Sequence, residues 1–186
     1  MSHRYFSFLI FLSSFLFIEV TLAKTVLVTG SNRGMGLEFV SQYAEKGWNV
    51  IATSRSPSDD NDLINLAKVN PNIQIEKMDV TNVNEILSLA DKYENQSIDL
   101  LINNAGMSGD RANQAWGQID KKEFEKLMSI NAFGALKVSE AFSRNISMSE
   151  EKKIVAISSV AGSISSMGRP SSLPILSISK AALNMA

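Results

Sequence analysis

Three glycines, Gly30, Gly34 and Gly36, stand in a G-x-x-x-G-x-G arrangement within Thr29-Gly30-Ser31-Asn32-Arg33-Gly34-Met35-Gly36. Glycines at such spacing let a backbone turn tightly and approach a diphosphate closely. A helix beginning just beyond would add free N–H groups and a partial positive charge. The segment follows an apolar run and precedes a helical pattern, the context a nucleotide site requires, although the spacing differs from the commoner G-x-G-x-x-G. A plain glycine-rich turn is the alternative reading. Other chemistries are excluded by composition. The chain has no cysteine, so disulfides, thiolate metal sites and a cysteine nucleophile are absent. Its single histidine, His3, lies at the N-terminal end, which rules out a histidine zinc site and argues against a Ser-His-Asp hydrolase.

The elements that would carry such a loop alternate in type. Thr25-Val26-Leu27-Val28-Thr29 is a short β-branched run, as suits a parallel strand buried on both faces. Residues 36–46 show helical spacing, with Leu37, Val40 and Ala44 on one face and Gly47 as the stop. Further strands are expected at 49–53, 73–78, 98–102 and 154–157, with helices at 63–69 and 82–94 and a long helix at 121–145. A last helix begins at Ser177. The stretches 54–61 and 162–174 read as irregular. This alternation implies an α/β protein with a doubly wound parallel sheet. On the long helix, Phe124, Leu127, Ala135, Val138 and Phe142 form one apolar stripe, and Asn131 falls inside it. A buried amide there must find partners. Ser159 is placed where the fifth strand leaves the sheet, at the carboxyl edge where such folds bind ligands. Ser158 is its alternative.

Four segments taken together resemble the short-chain dehydrogenase/reductase family. They are Thr29 to Gly36; Asn103-Asn104-Ala105-Gly106; Ser158-Ser159; and Ser179-Lys180-Ala181-Ala182-Leu183. The likeness spans residues 24–186, and the wording around the motifs is nearest to the carbonyl-reductase-like branch that includes the sniffer and C-factor proteins. It implies a Rossmann-type domain with strand order 3-2-1-4-5, showing five of the family's usual seven strands and incomplete at the C-terminus. It also implies hydride transfer between NADP(H) and a small carbonyl or alcohol substrate, and a homodimer or homotetramer for a full-length chain. The cofactor would be held by Gly30, Ser31, Asn32, Arg33, Gly34, Met35 and Gly36, by Ser54 and Arg55, by Asp79 and Val80 beside the adenine, by Asn103, Ala105 and Gly106, and by Lys180. NADP is preferred over NAD because the second strand ends in Ser54-Arg55 without an adjacent acid, and Arg33 adds a second cation.

By the same resemblance, Asn131, Ser159 and Lys180 are the catalytic residues: an asparagine of a proton relay, a serine bonding the substrate oxygen, and a lysine holding the nicotinamide ribose. The family's tyrosine stands four residues before that lysine. Here that position is Leu176, and the chain's tyrosines are Tyr5, Tyr43 and Tyr93, all before Ser159. Leucine has no proton to exchange. A second function class therefore stays open, a catalytically weak or inactive NADP-binding protein with a sensing or scaffold role, as does a degraded, unfolded gene product.

Residues 1–23 differ from the rest. His3 and Arg4 precede an apolar run from Phe6 to Ile18, and Thr21-Leu22-Ala23 closes it with small residues, the three-part pattern of a secretory signal peptide. An uncleaved membrane anchor and a mistaken gene start are the alternatives. A secretory destination would make Asn95-Gln96-Ser97 and Asn145-Ile146-Ser147 glycosylation acceptors in a eukaryote. Net charge is −1 and no basic run is interleaved with aromatics, so nucleic acid is not an expected partner.

Overall fold

The computed structural model describes residues 23–166 and 171–186. The expected leader, apart from Ala23, and part of the irregular 162–174 stretch lie outside the described residues. Five parallel strands form one sheet in the order β3-β2-β1-β4-β5. They are β1 (Thr25–Thr29), β2 (Asn49–Ser54), β3 (Ile73–Lys77), β4 (Leu100–Asn103) and β5 (Lys153–Ala156). The helices are α1 (Gly34–Glu45), α2 (Asn61–Val69), α3 (Val83–Lys92), α4 (Lys121–Met128), α5 (Ala135–Ala141), α6 (Ser143–Ser147) and α7 (Pro174–Met185).

The place of β1 at the centre of the sheet explains why Val26, Leu27 and Val28 are consecutive apolar residues. All five residues of β1 are buried. Leu27 joins Ile51, Met78 and Leu101 on one face, beneath Ile86, Leu89, Val138 and Phe142. Val26 and Val28 point the other way, with Val50, Ala52 and Ile102, against Val40 and Ala44 of α1 and Leu63 of α2. Helices thus cover both faces, as a parallel sheet demands. Burying each such side chain contributes about 1.5–3 kcal/mol, and truncating the fully buried Phe142 to alanine would cost about 3–5 kcal/mol. At the edge, every residue of β5 is exposed.

Several boundaries differ from expectation for local reasons. α7 begins at Pro174, three residues early, because proline with its fixed φ suits the first helical turn. β4 starts at Leu100 rather than residue 98. Short 3₁₀ turns also form within the first irregular stretch, at Pro57–Asp59, and across the start of the second, at Val160–Gly162. The largest difference is in the long helix expected over residues 121–145. It is broken into α4, a π-helical turn at Ser129–Gly134, α5 and α6. Gly134 lets that wide turn lie against the chain after β3, where an added Cβ would come within 2.9 Å of the Val80 carbonyl oxygen. π turns concentrate at functional sites, and this one carries Asn131.

Candidate active site

The phosphate loop is built from two interlocked motifs. Gly30 has φ +65, and a Cβ there would meet the Ala105 Cα at 2.9 Å, so no other residue fits without displacing the chain after β4. Asn104 clamps the loop by donating from Nδ2 to the carbonyl oxygens of Thr29 (2.9 Å) and Gly30 (3.0 Å). The hydroxyl of Thr29 accepts the N–H groups of Asn104 and Ala105, each at 3.0 Å. Ser31 is fully buried and its N–H donates to the Thr53 carbonyl at 2.9 Å, fixing the loop to β2.

The loop opens onto a helix start free of competing groups. α1 has no side-chain cap and no acidic residue in its first turn. Gly34, at φ +56, has nothing within 4 Å of where a Cβ would lie. Backbone N–H groups of a first helical turn have no intrahelical partner, so this cradle suits an anion such as a diphosphate. Met35 is exposed beside it. Arg33 and Arg55 are both exposed, and among the described residues neither makes an ion pair. Ser54 is buried at the carboxyl end of β2. At the end of β3, Asp79 accepts from the Thr81 N–H (2.8 Å) and hydroxyl (2.7 Å), and Val80 is buried. Asn103 is buried at the end of β4. Its Oδ1 is the one buried side-chain polar atom without a partner among the described residues.

The expected catalytic residues converge at the same edge. Asn131 is fully buried; its Oδ1 accepts the Met107 N–H at 2.9 Å, and its Nδ2 donates to the Met107 carbonyl and to Ser179 Oγ, each at 2.9 Å. Both amide hydrogens are thus spent on holding the chain after β4 against α7. Lys180 is buried on α7, and its Nζ donates to the Ile157 carbonyl at 2.8 Å. Burial holds the Lys180 ammonium below the ordinary lysine range. Gly106 lies between the two: a Cβ there would be 3.3 Å from Asn131 Oδ1 and 3.4 Å from Lys180 Nζ.

Ser158 and Ser159 are distinguished by where their hydroxyl protons go. Ser158 Oγ donates to Asn184 Oδ1 at 2.5 Å. Ser159 Oγ accepts the Ala161 N–H at 3.2 Å, as the cap of a 3₁₀ turn, and is exposed. Its own proton stays available to a substrate oxygen. Leu176 is half-buried on the first turn of α7. Neither described tyrosine replaces it. Tyr93 is buried against β3, at the edge of the sheet opposite β5, with its hydroxyl between Gln74 Oε1 (2.8 Å) and Glu76 Oε1 (2.7 Å), and burial together with Glu76 drives its phenol strongly upward. Tyr43 packs edge-to-face on Trp48. Among the described residues, no cluster of acidic or histidine side chains is arranged to hold a metal.

Three residues of this region carried no sequence signal. Gln114 is fully buried, donating from Nε2 to the carbonyls of Ser108 (2.8 Å) and Asp110 (3.2 Å) and accepting the Leu176 N–H on Oε1. Gly162 packs so tightly on α7 that a Cβ would come within 2.7 Å of the Lys180 carbonyl carbon. Asp60 bridges the phosphate loop and β2, accepting from Asn32 Nδ2 at 3.1 Å and from Ser54 Oγ.

A family model described as short chain dehydrogenase matches residues 24–186. The chain belongs to the short-chain dehydrogenase family. The short chain dehydrogenase gsfK of Penicillium aethiopicum is 33% identical over 154 residues, covering 78% of this chain and 61% of that protein. Among solved structures, the NADPH-bound carbonyl reductase from chicken fatty liver is 32% identical with a TM-score of 0.79, over 88% of this chain and 68% of that one. A short-chain dehydrogenase/reductase from Burkholderia multivorans with bound NADP is 28% identical with a TM-score of 0.79, over 88% and 70%. The chain spans about 61% of the length of its first curated relative.

Proposed function

We propose that this member of the family is an NADP(H)-binding oxidoreductase of the carbonyl/alcohol class whose proton-transfer step is impaired. The observation that carries the reading is the convergence of a buried Lys180, a Ser159 hydroxyl with a free proton and a leucine at position 176 beside an open, uncapped helix start. The uncapped α1 and the open space over Gly34 fit a diphosphate, and Arg33 and Arg55 fit a ribose 2′-phosphate. The two NADP-bound structural relatives support the same cofactor. Gly30 to Gly36 would hold the diphosphate, Ser54 and Arg55 the adenosine ribose, Asp79 and Val80 the adenine side, and Asn103, Ala105, Gly106 and Lys180 the nicotinamide half.

Bound NADP(H) would supply the hydride. This chain's residues would do the rest. Ser159 Oγ donates to the substrate oxygen and stabilises charge as it develops there. Lys180 presents an ammonium at the ribose. Asn131, through Met107 and Ser179, fixes the chain after β4 against α7 so that Lys180 keeps its place. No group at position 176 can deliver the proton the substrate oxygen needs. That absence favours a second reading, a nucleotide-binding protein whose cofactor occupancy serves sensing or scaffolding.

We also propose a secretory destination on the strength of the leader pattern. The structure alters the glycosylation expectation that accompanied it. Asn95 is exposed, but Asn145 is buried and spends both amide hydrogens on the Tyr93 and Gln96 carbonyls. The folded protein offers no acceptor at Asn145.

Titration with NADPH and NADH tests the cofactor reading, followed by the fluorescence of Trp48 and Trp116. NADPH binds more tightly in the wild type, and Arg55→Asp reverses the order by repelling the 2′-phosphate. Equal affinities in the wild type contradict the assignment.

A further inference from the structure

Asp60 stands at the N-cap of α2, where an aspartate ordinarily accepts the N–H of the second or third helical residue and so stabilises its own helix. Here it makes no such bond. Its carboxylate instead spans a gap in the fold, with Oδ1 taking Asn32 Nδ2 at 3.1 Å and Oδ2 taking the Ser54 hydroxyl. Asn32 belongs to the phosphate loop and Ser54 is the last residue of β2. In doubly wound sheets the residues just beyond that strand meet the adenosine ribose, an acid there favouring the 2′-hydroxyl and a cation the 2′-phosphate. In sequence, the place after β2 is held by Arg55. In space, a half-buried carboxylate has been brought in from the next helix and fastened to two polar side chains of the same corner. Arg33 and Arg55 make no ion pair with it, so its charge is not neutralised locally. Asp59 and Asp62 flank it and add to the negative side.

We propose that Asp60 is a specificity-determining residue of the cofactor site, one whose carboxylate opposes the 2′-phosphate preference set by Arg33 and Arg55 and so admits NADH alongside NADPH. The proposal rests on the nucleotide-binding reading above. The physical reason is charge: a fixed carboxylate at this corner repels a 2′-phosphate, leaves a 2′-hydroxyl uncharged and welcome as a donor, and leaves the shared diphosphate contacts alone.

The test is direct titration of the wild type, Asp60→Asn, Asp60→Ala and Asp60→Glu with NADPH and with NADH, at low and at moderate salt, with thermal unfolding of each protein recorded. Asp60→Asn and Asp60→Ala should raise the preference for NADPH over NADH by about tenfold, with the gain shrinking as salt rises. Asp60→Glu keeps the charge and should keep the wild-type ratio. If Asp60→Ala fails to fold, the near-isosteric Asp60→Asn still decides. Weakening of both nucleotides by one common factor would mean that Asp60 merely braces the loop, and overturns the proposal. A ratio that shifts as much in Asp60→Glu as in Asp60→Asn overturns it too, because charge is then not the cause. If the folded wild type binds neither nucleotide, both the proposal and the reading beneath it fall; if it binds both and the ratio never moves, the proposal falls alone.

Discussion

The side-chain oxygen of Gln114 accepts the backbone N–H of Leu176 at 2.9 Å, joining the loop after β4 to the first turn of α7. α7 has no cap from its own N-terminal residues, so this long-range bond satisfies one of its free N–H groups. Position 176 is therefore held by its backbone, whatever its side chain.

Gln114→Leu should consequently destabilise the protein. It removes the partner of the Ser108 and Asp110 carbonyls and of the Leu176 N–H, at bonds that are part-buried around a fully buried side chain. Each unsatisfied buried group costs about 1–3 kcal/mol. A loss of about 2–4 kcal/mol by denaturant unfolding is expected, with the slope unchanged. A loss within about 0.5 kcal/mol, the range of an ordinary surface substitution, would contradict the latch.

Lys180 makes a pH-dependent contribution whose sign follows from burial. Its folded-state value lies below that of the unfolded chain, so between the two the unfolded state binds the extra proton. Stability must then rise with pH across the window that ends near the ordinary lysine value of 10.5. Below the depressed folded value the cost of burying the charge is present in full. Lys180→Met removes this dependence. Thermal unfolding from pH 7 to 10 should show the wild type gaining on the variant as pH rises; parallel curves would contradict it.

The leader makes a prediction of its own. Expressed in a eukaryotic secretory system, the chain should be cleaved after Ala23 and carry sugar at Asn95 and none at Asn145. N-terminal sequencing and glycopeptide mass spectrometry read both. An intact Met1 in the cytosolic fraction rules out export, and sugar on Asn145 of the folded protein would contradict its burial.

Much of the fold was legible because it is written locally. Val26, Leu27 and Val28 of β1 are consecutive apolar residues since helices cover both faces of the strand, and the glycine loop stands between a strand and a helix. The site was less so. Apolar residues from Leu127 to Phe142 fit one helical stripe, and hydrophobic spacing does not register the extra residue that a π turn inserts at Asn131. Gln114 is an ordinary glutamine in a polar stretch until a helix arrives to meet it. Asp60 reads as the second of two aspartates in a loop, and its role depends on Asn32 and Ser54, which only folding brings beside it. Asn145 shows the converse: its local pattern suggests a surface acceptor, while the fold spends its amide inside.

The most direct measurement of the central claim is carbonyl reduction by the wild type and by Leu176→Tyr, at saturating NADPH and with binding of NADPH confirmed equal. It should be made on this chain and on a version extended with the C-terminal segment of a longer relative. A positioned general acid contributes about 10²–10⁴-fold, or roughly 3–5 kcal/mol of barrier. The tyrosine form should exceed the leucine form by a factor in that range. A leucine form that turns over as fast as the tyrosine form would contradict the assignment of position 176 as the missing proton donor.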